Sequence, residues 1–222
     1  MGRYKVAEKF VSINGEARRA GELAVFIRFA GCNLRCVYCD TAWAISRAAP
    51  HELMDEKEIY DYIHSSGVKN VTLTGGEPLI QKDINELLEF LSRDENLRIE
   101  IETNGAVDIR PYKNISDRIS FTVDYKCPGS GMEDGMIDAN FLAVDRDDSV
   151  KFVVSDRNDL VRMKEIIEAF TLCERTVVYV SCVFRAITPL EVVEFMKENK
   201  LNDVRLQLQL HKFIWDPDER GV

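Results

Sequence analysis

Strand-length apolar runs alternate with helix-period segments along nearly the whole chain, and this alternation limits the fold more than any other feature. Ala24–Phe29, Val71–Thr74, Arg98–Thr103, Ile119–Val123, Val150–Val154, Thr176–Phe184 and Val204–Leu210 read as strands. Between them, Asp55–Ser66 reads as a helix opened by an Asp55/Glu58 capping box, with Ile59, Tyr62 and Ile63 on one face. Ile84, Leu87, Leu88 and Leu91 mark a second helix, and Leu160, Met163, Ile166, Ile167 and Phe170 a third. Thr188-Pro189-Leu190-Glu191 opens a fourth, with Thr at N-cap, Pro at N1 and Glu at N3. Such alternation implies a parallel sheet with right-handed crossovers. About seven strands in 222 residues fall short of a closed eightfold barrel, which typically takes ~250 residues. The expected fold is therefore α/β: an incomplete (β/α) barrel with mostly parallel strands, as one domain over residues 1–222.

Ligand sites in sheets of this kind lie at the carboxyl ends of the strands. The loop from Gly31 to Thr41, Gly75-Gly76-Glu77-Pro78, Thr103-Asn104-Gly105, Asp124-Tyr125-Lys126 and Ser155 each follow a strand directly. They are expected to share one site. Asp145-Arg146-Asp147-Asp148 reads as a charged loop without a further role.

Cys32, Cys36 and Cys39 lie on the first of these loops with C-x3-C-x2-C spacing. Three thiolates on one tight loop can hold a [4Fe–4S] cluster, which normally takes four ligands, and leave one iron open to a small molecule. Two other readings of the same residues stand beside this one. Cys36 and Cys39 could be a thioredoxin-like redox pair, and the three cysteines with His51 could close a Cys3His zinc site. A redox pair has no need of Cys32, and zinc sites usually draw ligands from two knuckles rather than one loop. Cys127, Cys173 and Cys182 are scattered and read as packing residues or inert thiols.

Composition narrows the classes. Net charge is −9 with no block of Lys or Arg, so the basic footprint of a nucleic-acid binder is missing and a small-molecule substrate is expected. No apolar run is long enough to span a bilayer, and the first residues lack the apolar core of a signal peptide, so a cytoplasmic protein is expected.

The cysteine loop followed one strand–helix unit later by Gly75-Gly76-Glu77-Pro78 resembles the radical S-adenosylmethionine (SAM) superfamily. That resemblance implies a [4Fe–4S] cluster on Cys32, Cys36 and Cys39 whose open iron chelates SAM. It also implies SAM contacts from Tyr38, Cys39, Asp40, Gly76, Glu77, Glu102, Asn104, Asp124, Lys126 and Ser155, and an external one-electron reductant of flavodoxin or ferredoxin type.

Ser12-Ile13-Asn14-Gly15-Glu16, Val25-Phe26-Ile27-Arg28, Cys39-Asp40-Thr41 and Gln209-Leu210-His211-Lys212 further resemble the 7-carboxy-7-deazaguanine synthase family. By that resemblance the substrate is 6-carboxy-5,6,7,8-tetrahydropterin. It would be bound by Ile13, Asn14, Gly15, Glu16, Thr74, Gln209 and His211, with Arg28 on its carboxylate and a Mg²⁺ ion held by Thr41. Phe213 and Trp215 are expected to cap the open end of the barrel or a subunit interface, consistent with an expected homodimer. This sequence departs from the family pattern at Asn14 (usually Gln), Ala17 (usually Gly) and Asp124 (usually Ser), and its last residues, Asp216 to Val222, carry no terminal proline. Two alternative functions share parts of the pattern. A radical SAM activase acting on a partner protein would need neither Arg28 nor Asn14-Gly15-Glu16, and a non-catalytic iron–sulfur or zinc module would not need Gly75-Gly76-Glu77-Pro78.

Overall fold

The computed structural model describes residues 3–217 and 219–222. Nine strands among them form one sheet: β1 (Tyr4–Ile13), β2 (Leu23–Phe29), β3 (Glu52–Met54), β4 (Asn70–Gly75), β5 (Arg98–Thr103), β6 (Ile119–Tyr125), β7 (Ser149–Val154), β8 (Val177–Cys182) and β9 (Val204–Leu206). Their order is β3-β1-β2-β4-β5-β6-β7-β8-β9. Neighbours from β2 to β9 are parallel, whereas β1 runs antiparallel to both β2 and β3. The two ends, β3 and β9, do not meet, so the barrel is incomplete and mostly parallel, as expected. The helices are α1 (Glu56–Ser66), α2 (Ile84–Leu91), α3 (Asp138–Ala143), α4 (Arg157–Ala169), α5 (Leu172–Arg175), α6 (Pro189–Glu198) and α7 (His211–Ile214). The Asp55/Glu58 and Thr188/Glu191 capping boxes both form and satisfy amide groups that the first helical turn leaves unpaired.

Side chains alternate along the strands, and the two faces of the sheet have opposite character. Val25, Ile27, Phe29, Val71, Leu73, Ile99, Ile101, Phe121, Val123, Val150, Phe152, Val178 and Val180 join Ile59, Ile63, Leu87, Leu88, Leu160, Met163 and Val192 of the helices in one continuous core. The other face, toward the barrel interior, is polar. Thr72 donates to Asn14 Oδ1 (2.9 Å), Thr122 donates to Glu100 (2.6 Å) and lies 2.8 Å from Ser149 Oγ, and Thr74 donates to Glu102 (2.7 Å). Buried polar groups are costly unless paired, and most of this face is a hydrogen-bonded lining with open space above it, Asn14 Nδ2 and Asp124 Oδ1 being left without a hydrogen bond among the described residues.

The structure departs from the sequence expectations in several places. β3 is an unexpected strand, and β8 stops at Cys182 rather than Phe184. β1 escaped the reading because Lys5, Glu8 and Lys9 interrupt its apolar pattern; it lies near the sheet edge, where charged side chains are accommodated. β9 stops at Leu206 rather than Leu210. Gln207 turns its side-chain amide to the backbone of Ala17 (2.7 and 3.0 Å), and Leu210 N–H donates to Gly15 O (3.2 Å). The chain thus leaves the sheet to grip the β1–β2 loop. Asp148, expected to be an ordinary loop residue, is fully buried. Its carboxylate accepts from Phe121 N–H, Asp145 N–H and Lys113, and its carbonyl from Arg18 and Thr176, so it ties four segments together at the amino end of β7.

Candidate active site

One cavity of about 820 Å³ opens at the carboxyl ends of the strands. It lies near the upper end of the ~300–1,000 Å³ range of ligand sites and has room for two small molecules side by side. Cys32, Cys36 and Cys39 line it together with Tyr38, Asp40, Thr41, Gly76, Glu102, Asn104, Asp124 and Lys126. Ile13, Gly15, Glu16, Arg28, Thr74, Gln209 and His211 line the same space.

The cysteine loop is seated on the loop that follows β4. Gly76 N–H donates to Phe29 O (3.0 Å) and Glu77 N–H to Gly31 O (2.9 Å). A Cβ on Gly76 would stand 2.1 Å from Gly31 O, so only glycine allows this approach. Leu34 N–H (3.4 Å) and the Asn104 amide (3.5 Å) donate toward Cys32 Sγ. Burial pushes the Cys32 and Cys36 thiols above their usual range; the donors on Cys32 and the Lys126 ammonium near Cys36 pull the other way. Three half-buried thiols on one wall, with N–H donors and a lysine beside them, fit a cluster held by thiolates. His51 is exposed and bonded to Ala49 O (2.6 Å), where it is engaged by its own loop.

The family model of the Radical SAM superfamily matches residues 26–125. The 7-carboxy-7-deazaguanine synthase of Clostridium acetobutylicum is 56% identical over 219 residues, 99% of each chain. That of Leptospira interrogans is 36% identical over 99% of this chain and 98% of its own. The chain belongs to the 7-carboxy-7-deazaguanine synthase family. It is therefore a radical SAM enzyme, and the family brings a [4Fe–4S] cluster, SAM, a small-molecule substrate and an external reductant. The crystal structure of QueE from Escherichia coli, 22% identical, matches the fold with a TM-score of 0.73 over 93% of this chain and 94% of that one.

Three residues expected from the family pattern stand off the cavity wall. Glu77 is fully buried and accepts from Leu79 N–H (3.0 Å), Thr103 Oγ1 (2.9 Å) and Asn104 N–H (2.7 Å), which locks the β4 loop to the end of β5. Burial pushes its carboxyl up to about 7, against the pull of these donors. Ser155 donates to Asp159 (2.7 Å) and closes the turn into α4. Asn14 lies beneath the β1–β2 loop on Thr72, with its backbone bonded to Gly21 and Glu22. Ala17, where the family usually has glycine, keeps a left-handed backbone (φ 62°). The Gly15 backbone packs directly on His211, where a Cβ would meet Nδ1 at 2.7 Å.

The remaining groups are connected. Arg28 Nε donates to Glu8 Oε2 (3.1 Å), leaving its two terminal nitrogens without a hydrogen bond among the described residues. Tyr38 donates its hydroxyl to Val153 O (3.1 Å), pinning the cluster loop across the cavity to β7. Thr41 occupies the N-cap of a short turn, Ala42–Ala44, without capping it; its hydroxyl donates to Asp40 (3.2 Å) instead. Asp124 is partly buried, which raises its carboxyl, but Lys126 (2.6 Å) and Lys151 (3.4 Å) overcome this and hold it below the usual carboxylate range. Burial lowers His211.

Sequence reasoning missed Glu8, Lys151 and Ser181, and the wall contributed by Glu219, Arg220, Gly221 and Val222. Arg220 stacks on Trp43 at 4.4 Å, drawing the end of the chain over the cavity mouth. Lys151 and Ser181 were detectable as polar residues at the inward positions of apolar strands. The tail carries no comparable signal. Cys182, read as packed in its strand, also lies on the cavity wall.

Proposed function

We propose that this chain is a 7-carboxy-7-deazaguanine synthase acting on 6-carboxy-5,6,7,8-tetrahydropterin as a single radical SAM domain over residues 1–222. The observation that carries the reading is a single cavity lined both by the three cysteines and by Arg28, Glu16, Gln209 and His211. When bound, the cluster supplies the electron that cleaves SAM to a 5′-deoxyadenosyl radical able to take hydrogen from the pterin. The protein's own part is placement. Asn104 and Lys126 stand beside the thiolates, and the glycine backbone at 75–76 lets SAM approach closely. Tyr38, Asp40, Glu102 and Asp124 complete that side. Glu16 offers a carboxylate to the ring N–H groups of the pterin, while the free edge of Arg28 suits its carboxylate. Ile13, Gly15 and Thr74 shape the same wall, and Asn14 supports it from below.

The finer assignments belong to the same reading. Thr41 is the protein ligand for Mg²⁺: its hydroxyl is not consumed by helix capping and stands beside the Asp40 carboxylate, a hard-oxygen environment. A Mg²⁺ ion held there would supply a hard cation for the substrate carboxylate. The protein works as a homodimer, a use for the exposed Phe213 and Ile214 of α7. It works in the cytoplasm, where thiols stay reduced; among the described residues no helix is long and apolar enough to cross a membrane. The test is anaerobic incubation of cluster-loaded protein with SAM, a one-electron reductant, Mg²⁺ and the pterin, followed by mass analysis. Formation of 7-carboxy-7-deazaguanine with loss of ammonia is expected. Formation of 5′-deoxyadenosine with the pterin left intact would refute the substrate.

A further inference from the structure

Lys151 projects from the middle of β7 onto the polar face of the sheet, at a position no motif marks. Its side chain is only 10% exposed, and a buried ammonium is strongly unfavourable unless anions face it. Two do. Nζ stands 3.4 Å from Glu16 Oε2 and 3.4 Å from Asp124 Oδ1. Asp124 Oδ2 in turn lies 2.6 Å from Lys126 Nζ. Glu16 also accepts from Ser181 Oγ (2.9 Å) and Gln209 Nε2 (3.5 Å). Lys126, Asp124, Lys151 and Glu16 thus form a ladder of alternating charge along the cavity floor. One end lies beside Cys36 and the other at the wall facing the proposed substrate.

We propose that Lys151 is a positioning residue, whose ammonium holds the Glu16 carboxylate on the pterin side and the Asp124 carboxylate on the SAM side in one fixed relation. The proposal rests on the two-sided reading of the cavity given above. The physical reason is electrostatic. Glu16, Asp124 and the half-buried Glu102 are three carboxylates in a confined space where charges are weakly screened, and Asp40 adds a fourth negative charge nearby. Lys126 is already committed to Asp124 at short range. Without Lys151, Glu16 and Asp124 repel, and each gains by turning away from the ligand it should meet. The neutral donors Ser181 and Gln209 orient Glu16 but cannot cancel its charge. Lys151 also links the two ligand sides mechanically, since displacement of either carboxylate strains the same ammonium.

The test compares Lys151→Met, which keeps the length and removes the charge, with Lys151→Arg, which keeps the charge. Iron content, melting temperature, the SAM Kd, and kcat and KM for the pterin are measured for each. Lys151→Met is expected to load iron normally, to bind SAM ~5-fold more weakly and to raise the pterin KM ~10-fold, with kcat changed by less than ~3-fold. Lys151→Arg is expected to recover both affinities to within ~3-fold of wild type. An unchanged SAM Kd and KM in Lys151→Met would overturn the proposal. So would a parallel loss of melting temperature, iron and both affinities that Lys151→Arg fails to rescue, because that pattern is a folding role. If wild-type protein makes no deazaguanine, the proposed substrate is wrong and the SAM Kd decides for Lys151: weakening rescued by Arg supports it, and an unchanged Kd overturns it.

Discussion

Gly76→Ala tests the way the two signature loops are held together. Gly76 needs no left-handed backbone, so the constraint there is space rather than torsion. An added Cβ would lie 2.1 Å from Gly31 O, 2.5 Å from Gly31 C and 3.0 Å from Cys32 Cβ. Two of these neighbours are backbone and the third is the first atom of a cysteine side chain, so no flexible group can yield. Relief to ordinary contact requires the loops to separate by about 1 Å or more, given that carbon contacts prefer ~3.5 Å. That movement breaks the Glu77 N–H to Gly31 O hydrogen bond and shifts Cys32 with its loop. Overpacking of this kind costs about 1–3 kcal/mol and the lost hydrogen bond about 1 kcal/mol, for a total of roughly 2–4 kcal/mol. For a chain of this size the expected fall in melting temperature is about 5–15 °C. The assay is melting of the iron-free protein by circular dichroism, followed by iron and sulfide content after reconstitution. Lower melting temperature together with incomplete cluster loading is the expected result. Wild-type melting and full loading in Gly76→Ala would refute the close-approach argument, and Gly76 would then matter only for contact with SAM.

Three other outcomes are expected. Arg28→Ala should raise the pterin KM ~10-fold or more while leaving SAM cleavage without substrate intact, because it removes a bidentate contact to the carboxylate; equal loss of both, measured as 5′-deoxyadenosine with and without pterin, would mark Arg28 as a structural partner of Glu8. Thr41→Val should blunt the Mg²⁺ dependence of product formation with little change in melting, since the hydroxyl caps nothing, and Thr41→Ser should retain that dependence; wild-type turnover indifferent to Mg²⁺ would remove the assignment. Burial, and next the charge of Glu102, push the Glu100 carboxyl up to about 7 from its ordinary value of 4.5. The unfolded chain releases this proton first, so Glu100 lowers stability as pH rises from about 4.5 toward 7. Glu100→Gln keeps the acceptor for Thr122 and should gain stability relative to wild type from pH 5 to 8 in denaturant titrations; a constant difference across that range would show that Glu100 does not titrate there.

The sequence by itself determined the elements whose causes are local. The capping boxes at Asp55 and Thr188, the α2 face of Ile84, Leu87, Leu88 and Leu91, and β5 from Arg98 to Thr103 lie where propensity, capping and period place them. It also placed the cysteine loop, Gly75-Gly76 and Asn104 at one end of the sheet, because loops after parallel strands all emerge there. Tertiary structure decided what depends on residues far apart in the chain. Glu77 turned from a ligand candidate into a buried staple because two of its three donors, Thr103 Oγ1 and Asn104 N–H, come from the end of β5, 26 and 27 residues along the chain. β9 ended early because Gln207 found Ala17, 190 residues away in the chain. Asp148 left the class of charged loop residues because the amino ends of two strands converge on it. Lys151 acquired its two carboxylates the same way, from a loop 135 residues earlier and from the neighbouring strand. A side chain's alternation shows which face it will occupy, but its partner is chosen by sheet register and loop crossing, and neither is written in the local sequence.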